Sequence, residues 1–274
     1  MIVSLDDVNA QLAADRVKLE NLVALKASAP VEFSNNTDHF ANFTTLYPYI
    51  YHKVLVKKYL EPGSSILDWG AYLGQVTYLL QDDFDVTAYN PVEQADINYW
   101  HTQLAIKKPV FDCGIFNGEL RFDQPFDGVI SSGVLEHTFE FGQTDVEALR
   151  NLYKILKNDG YLFIWHLPTS LALAELLAKA KHAWKHTLRY SLDEVLVKLN
   201  LTGFDIVAIE TNDLAFSKIK KALSFLDLAS AWSLDHTLAN LPILKLFSHH
   251  FTIVAKKVPG FPRNPANSGY TTYI

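Results

Sequence analysis

The chain has 274 residues, 49% of them hydrophobic and 20% charged, which excludes a disordered protein and leaves enough length for a large core. Its formal charge of -6 argues against broad binding to a phosphate backbone, so no nucleic-acid partner is expected. A single cysteine, Cys113, excludes an intramolecular disulfide; with no signal-peptide pattern at Met1–Asp7 and no apolar run of bilayer length, the expectation is a cytoplasmic protein without an integral membrane segment.

Taken in order, residues 4 to 27 predict one helix with Ser4 as its N-cap and Leu12, Val17, Leu19, Leu22, Val23 and Leu25 on its apolar side, stopped by Pro30. The stretch from Phe33 to His52 is rich in aromatic and polar residues and leads into a helix from Tyr49 to Leu60, closed by Pro62-Gly63. Ser64 to Leu80 then combines a short apolar run (Ile66, Leu67), an acid (Asp68), a loop with Gly70 and Gly74, and apolar residues at helical spacing. A strand that turns through glycine into a helix aims backbone N–H groups at one spot and lets a ligand approach the main chain. A dinucleotide fingerprint read from Gly70 needs glycine at positions 72 and 75, where the chain has Tyr72 and Gln75.

The loop instead resembles the first motif of class I S-adenosylmethionine-dependent methyltransferases, an acid followed by glycines at alternate positions. Asp68, Gly70 and Gly74 match it, Ala71 lies between them, and Tyr72 stands where the family has its middle glycine. An ordinary strand-to-helix turn is the alternative. The resemblance implies an α/β, doubly wound Rossmann-like fold with a seven-stranded, mostly parallel sheet and an antiparallel last strand, and S-adenosyl-L-methionine as cofactor. It also implies that the aromatic segment folds over the cofactor; packing on the sheet edge is the competing reading.

The next strand, Phe84 to Tyr89, ends at Asn90-Pro91. The resemblance expects an acid there for the ribose hydroxyls; an amide oxygen can still accept one, and Glu93, in a helix running from Val92 to Ile106, is placed to help. After Pro109–Phe111, Asn117 and Gly118 fall nearest the position that meets the adenine. Phe126 to His137 resembles the "FD-x-V … V-L-E-H" signature of small-molecule methyltransferases, including the ubiquinone-biosynthesis type. In that alignment Ser131, Ser132 and Gly133 lie beside the methionine part of the cofactor. Thr144 caps a helix from Asp145 to Leu156, ended at Gly160, and Tyr161 to Trp165 is a buried strand from whose end His166 departs.

Beyond this core, Ser170 opens a helix to Lys185, Ser191-Leu192-Asp193-Glu194 is a capping box, Gly203 stops its helix, and the last strands are Phe204–Glu210 and Phe251–Lys257. The forty residues between them predict a helical insertion over 211 to 248. The organisation expected is one domain over 1–258, with a helical N-terminal cap (1–60), a cofactor core (61–168) and a substrate side (169–258), then a loose tail (259–274). No group has metal-ligand spacing along the chain, and His249-His250 reads as strand packing. A hydroxyl acceptor needs a base. His137 and His166 follow strand ends, with His52 third. The function expected is O-methylation of a small-molecule or glycan hydroxyl, the glycan preference resting on a resemblance to polysaccharide-associated methyltransferases. A catalytically degenerate binding module is the alternative.

Overall fold

The protein is described here by a computed structural model covering residues 2–34, 37–111, 120–172 and 188–261. Asn117, Gly118, Cys113, the body of the helix expected after Ser170, and the tail from 262 lie outside the described residues.

The N-terminal segment contributes α1 (Leu5–Ala14), α2 (Arg16–Ser28) and α3 (Phe43–Tyr59). The single helix expected over 4–27 is divided at Asp15, whose backbone (φ -91°, ψ 6°) leaves the helical range. A long-range pair sets that break. The Asp15 carboxylate takes the buried Lys53 ammonium at 3.0 Å, and Lys53 also meets Asp83 at 2.8 Å and the Leu79 carbonyl at 2.8 Å. Val17, expected on the apolar side, is exposed. Helix α3 begins six residues before the expected Tyr49, because Asn42 and Thr45 form a reciprocal cap and Pro48 is accommodated inside the helix.

The sheet has seven strands in the order β3-β2-β1-β4-β5-β7-β6. They are β1 (Ser65–Trp69), β2 (Asp85–Asn90), β3 (Pro109–Phe111), β4 (Phe126–Ser132), β5 (Leu156–Pro168), β6 (Phe204–Asn212) and β7 (His250–Lys257). Strand β7 runs antiparallel to both its neighbours and the other pairings are parallel, as expected. Ile66, Ile130, Phe163, Trp165 and Val254 face the core shared with the N-terminal helices, α4 (Gln75–Leu80), α5 (Ala95–Gln103) and α9 (Leu228–Ala239). Their alternates Leu67, Trp69, Val129, Leu162, Ile164 and Ile253 face α6 (Asp145–Ile155) and α7 (Leu192–Leu201). Two apolar faces make a three-layer α/β sandwich.

Several boundaries differ from the sequence reading. The helix after Asn90 starts at Ala95, leaving Glu93 exposed and bonded to Asn98 rather than helical. Strand β5 begins at Leu156, ahead of the expected Tyr161, and the left-handed residue in its first part is Asp159 (φ 63°), while Gly160 is required by crowding: a Cβ there would sit 3.0 Å from the Lys157 carbonyl and 3.1 Å from that of Asp127. Strand β5 continues through His166 to Pro168, because β7 pairs with Leu167 and Pro168 beyond an irregularity at His166. The expected insertion after β6 holds α8 (Phe216–Ala222) and α9.

Lys53 ties the cap helices to the core, so Lys53→Met leaves the buried Asp15 charge without its cationic partner, with only the Gln11 amide, among the described residues, donating to it. It is expected to lower stability by about 3–5 kcal/mol in urea denaturation, and adding Asp15→Leu to recover at least half. Unchanged stability in Lys53→Met would remove this pair from the account.

Candidate active site

The glycine loop joins β1 to α4. Gly70 (φ 76°), Tyr72 (φ 48°) and Gly74 (φ 88°) are all left-handed. Tyr72 therefore keeps the backbone conformation that glycine adopts freely, at a cost of about 1 kcal/mol for an L-residue. Its peptide is held from both sides: Asn90 Oδ1 accepts the Tyr72 N–H at 2.7 Å, Asn90 Nδ2 donates to the Tyr72 carbonyl at 3.4 Å, and His101 Nε2 donates to the same carbonyl at 2.9 Å. The N–H groups of Gly70 and Ala71 both donate to the Tyr89 carbonyl at 2.9 Å. The amide at the expected ribose position is thus engaged with the loop itself, which the sequence did not reveal; Pro91 follows it, half-buried. A Cβ on Gly70 would lie 2.6 Å from Val134 Cγ2, and one on Gly74 3.2 Å from His101 and Ile106.

Asp68, next to last in β1, is almost wholly buried, and Thr77 donates its hydroxyl to Oδ2 at 2.7 Å. Burial pushes its carboxyl up to about 6 against the two Thr77 hydrogen bonds. This acid fastens the strand end to α4. Above it lies Tyr49 of α3, paired with the Gln75 side chain and raised to about 12 by burial. The aromatic segment spans the rim. At one end Phe33 stacks on Tyr99 of α5 at 4.4 Å, and at the other Tyr49 meets the His166 ring at 5.3 Å. A segment touching α5, after β2, and His166, in β5, crosses the carboxyl ends of β1 and β4 between them. Elsewhere Tyr47 and Tyr51 pack on Trp232, so the stretch both crosses the rim and packs as core.

At the end of β4, Ser131 is buried, Ser132 lies 3.2 Å from His166 Nδ1, and Gly133 (φ 65°) donates its N–H to the Trp165 carbonyl. Glu136, part of the signature that follows β4, is buried, and burial lifts its carboxyl to about 7. Three buried polar atoms along this rim, Gln75 Oε1, Ser131 Oγ and Glu136 Oε2, have no hydrogen-bond partner among the described residues. Buried oxygens left over in this way suit a ligand that supplies donors and positive charge, and S-adenosylmethionine carries an ammonium, a sulfonium and hydroxyls.

Two of the three histidine candidates come together: the rings of His52 and His166 lie 5.2 Å apart, edge to face. His166 is left-handed (φ 55°) at the irregularity in β5, bringing its ring to the edge beside Ser132; burial, reinforced by His39, lowers it to about 4. His137 sits on a 3₁₀ turn, about one-third exposed, with Nδ1 2.7 Å from Glu140. His52 lies in the core, stacked on Trp165 at 4.3 Å with Nε2 3.1 Å from Thr252 Oγ1, and burial holds it well below the usual histidine value. The sequence also missed a grouping at the far end of this edge. Asp213, His249 and His250 converge there, although thirty-five residues separate the first two.

Residues 67–164 match the family model for the methyltransferase domain. No curated protein matches the chain significantly. Among solved structures, the chain is similar to a 1,6-didemethyltoxoflavin-N1-methyltransferase from Burkholderia thailandensis, determined with 1,6-didemethyltoxoflavin and S-adenosylhomocysteine. Identity is 18%, over 93% of this chain and 91% of that one, with a TM-score of 0.51. A chain from the complex of the Haloferax volcanii Trm112 methyltransferase activator gives 16% identity over 86% and 97%, with a TM-score of 0.56. The [4+2]-cyclase SpnF gives 16% over 88% and 94%, with a TM-score of 0.50. At such identities the structural likeness establishes the fold, and the family match on the segment that contains the loop carries the class. Residues 67–164 are a methyltransferase domain, and S-adenosyl-L-methionine is the cofactor.

Gly70→Ala adds a left-handed penalty of about 1 kcal/mol and a clash with the stiff Val134 side chain worth about 1–3 kcal/mol. Calorimetric titration with S-adenosylhomocysteine is expected to show binding weakened at least tenfold. In a Val134→Ala background the same substitution should cost stability only the backbone part. An undiminished affinity in folded Gly70→Ala would place the cofactor elsewhere.

Proposed function

We propose that the protein transfers a methyl group to a hydroxyl of a small molecule or glycan, with His166 as the base. The observation that carries this reading is the placement of His166 at the irregularity in β5. Its ring stands beside Ser132 and under Tyr49, at the edge where the orphaned Ser131 and Glu136 oxygens mark the ligand side.

The cofactor, when bound, supplies an electrophilic methyl group. The chain's own residues must then hold the acceptor in line and take its proton, and orientation supplies much of the acceleration. Asp68, Gly70, Ala71, Tyr72 and Gly74 with Asn90 and Pro91 form the proposed cofactor side, continued by Ser131, Ser132 and Gly133; Asn117 and Gly118 complete the proposal from outside the described residues. His166 is neutral throughout the range near pH 7, the state a base requires. With Nδ1–H donating to Ser132 Oγ, the Nε2 lone pair remains to accept the hydroxyl proton. Glu136, buried and polar, suits the cationic end of the cofactor. A cytoplasmic place, resting on the single cysteine, and a role in polysaccharide synthesis, resting on the sequence resemblance, belong to the same proposal.

The binding-module reading is favoured by one observation, the use of the Asn90 amide to hold the loop where the family resemblance expects a ribose acceptor. Turnover decides between them. His166→Gln is expected to lower turnover at least a hundredfold with little change in S-adenosylhomocysteine affinity, while His137→Gln stays within about threefold of the parent. Full activity in His166→Gln would remove the proposed base. Cofactor binding without turnover in the parent, across a broad panel of hydroxyl acceptors, would favour the binding module.

A further inference from the structure

At the β5–β7–β6 end of the carboxyl edge, three potential ligands from two distant stretches meet. His250 opens β7 and pairs with Pro168 on one side and Asn212 on the other, so Asp213, one residue past the end of β6, is brought alongside. His249 Nδ1 lies 3.7 Å and His250 Nδ1 4.0 Å from Asp213 Oδ2, and the three ligand atoms are all within 4.8 Å of one another. The two imidazoles stack with centroids 3.8 Å apart; His249 lies in the bend just before β7, which frees its ring from the alternation of a strand and lets both rings approach one carboxylate.

The backbone around them is fixed. His249 donates its N–H to the Asp213 carbonyl at 3.1 Å, and the His249 carbonyl accepts the Thr169 N–H at 2.9 Å. Asp213 itself is left-handed (φ 60°), and behind it the Asp235 carboxylate accepts the N–H groups of Leu214 at 3.2 Å and Ala215 at 2.7 Å. The imidazoles are mostly buried (17% and 15% exposed) and the aspartate is open to solvent at 41%. That arrangement gives an ion a way in and keeps two ligands away from bulk water.

We propose that Asp213, His249 and His250 form a binding site for a divalent transition-metal ion of the zinc or cobalt class. Two imidazoles and one carboxylate are the donor set such ions favour over magnesium or calcium, which take oxygen. Tetrahedral bonds of about 2.0–2.1 Å place neighbouring ligand atoms about 3.3 Å apart, so contraction by less than about 1 Å closes both pairs with Asp213, and by at most about 1.5 Å the pair of imidazoles. Three protein ligands leave a fourth position for water or a substrate oxygen. The site borders His166, whose ring lies 5.3 Å from that of His250. Resting on the proposed hydroxyl chemistry, that open position would receive an oxygen of the acceptor.

The test is a titration of tag-free protein with cobalt(II) chloride, followed by visible absorption and by metal analysis after dialysis, with zinc chloride as competitor. Asp213→Asn keeps a residue that tolerates the left-handed backbone, and His249→Gln and His250→Gln keep polar side chains. The parent is expected to bind one equivalent of cobalt with the intense absorption of four- or five-coordination, displaced by zinc. Each variant should bind at least tenfold more weakly. A parent with no saturable cobalt binding overturns the site, as does undiminished binding in all three variants. Should a variant fail to fold, the parent titration still decides. Metal binding is read without turnover, so its failure leaves the methyl-transfer reading standing.

Discussion

The left-handed backbone at Tyr72 is the constraint on which the cofactor side of this protein depends. Gly70 and Gly74 reach that conformation without steric cost, but Tyr72 must be held there. The holding groups come from the next strand and helix: the Asn90 amide grips both polar groups of the Tyr72 peptide, and His101 takes the second lone pair of its carbonyl. Loop, β2 and α5 are thereby one unit. Strain of this size persists only where the surroundings over-determine it, and such places are commonly ligand sites.

The same edge concentrates polar groups in poorly hydrated surroundings. Asp68 and Glu136 have carboxyls raised to about 6 and about 7 by burial, and His166 is lowered to about 4 by the same cause. Groups shifted by desolvation and left without full pairing weaken the folded state, and they gain when a ligand of complementary charge arrives. The aromatic segment from Phe33 to Tyr49 contributes to that desolvation by crossing the rim, and the Lys53 pairs hold its helix against α2 and the turn after α4. Cap and site are therefore energetically connected, although they are distant in sequence.

Local chemistry was legible in the sequence wherever it was sufficient. The Ser4 and Thr144 caps, the Ser191 box and the strand–glycine–helix turn appear where their residues predict them, and so does the helical insertion before β7. What escaped was set by distant partners. The break at Asp15 follows from Lys53, thirty-eight residues away, and the start of α3 was hidden by Pro48 and by a cap that uses Asn42 and Thr45 in place of the commoner pattern. Asn90 reads as a weak ribose acceptor in one dimension; its bonds to Tyr72 depend on the β1–β2 register. Likewise the approach of Asp213 to His249 and His250 exists only once β6 and β7 pair, and no spacing along the chain announces it.

The most direct test of the account is the affinity for S-adenosylhomocysteine, measured by calorimetry on Tyr72→Gly and Tyr72→Val beside the parent. Glycine adopts the left-handed conformation freely, whereas a β-branched residue resists it. If the backbone conformation at this position makes the cofactor loop, Tyr72→Gly binds at least as tightly as the parent and Tyr72→Val binds at least tenfold more weakly. Equal affinity in the two variants, or a parent that binds a nicotinamide dinucleotide instead, would contradict it.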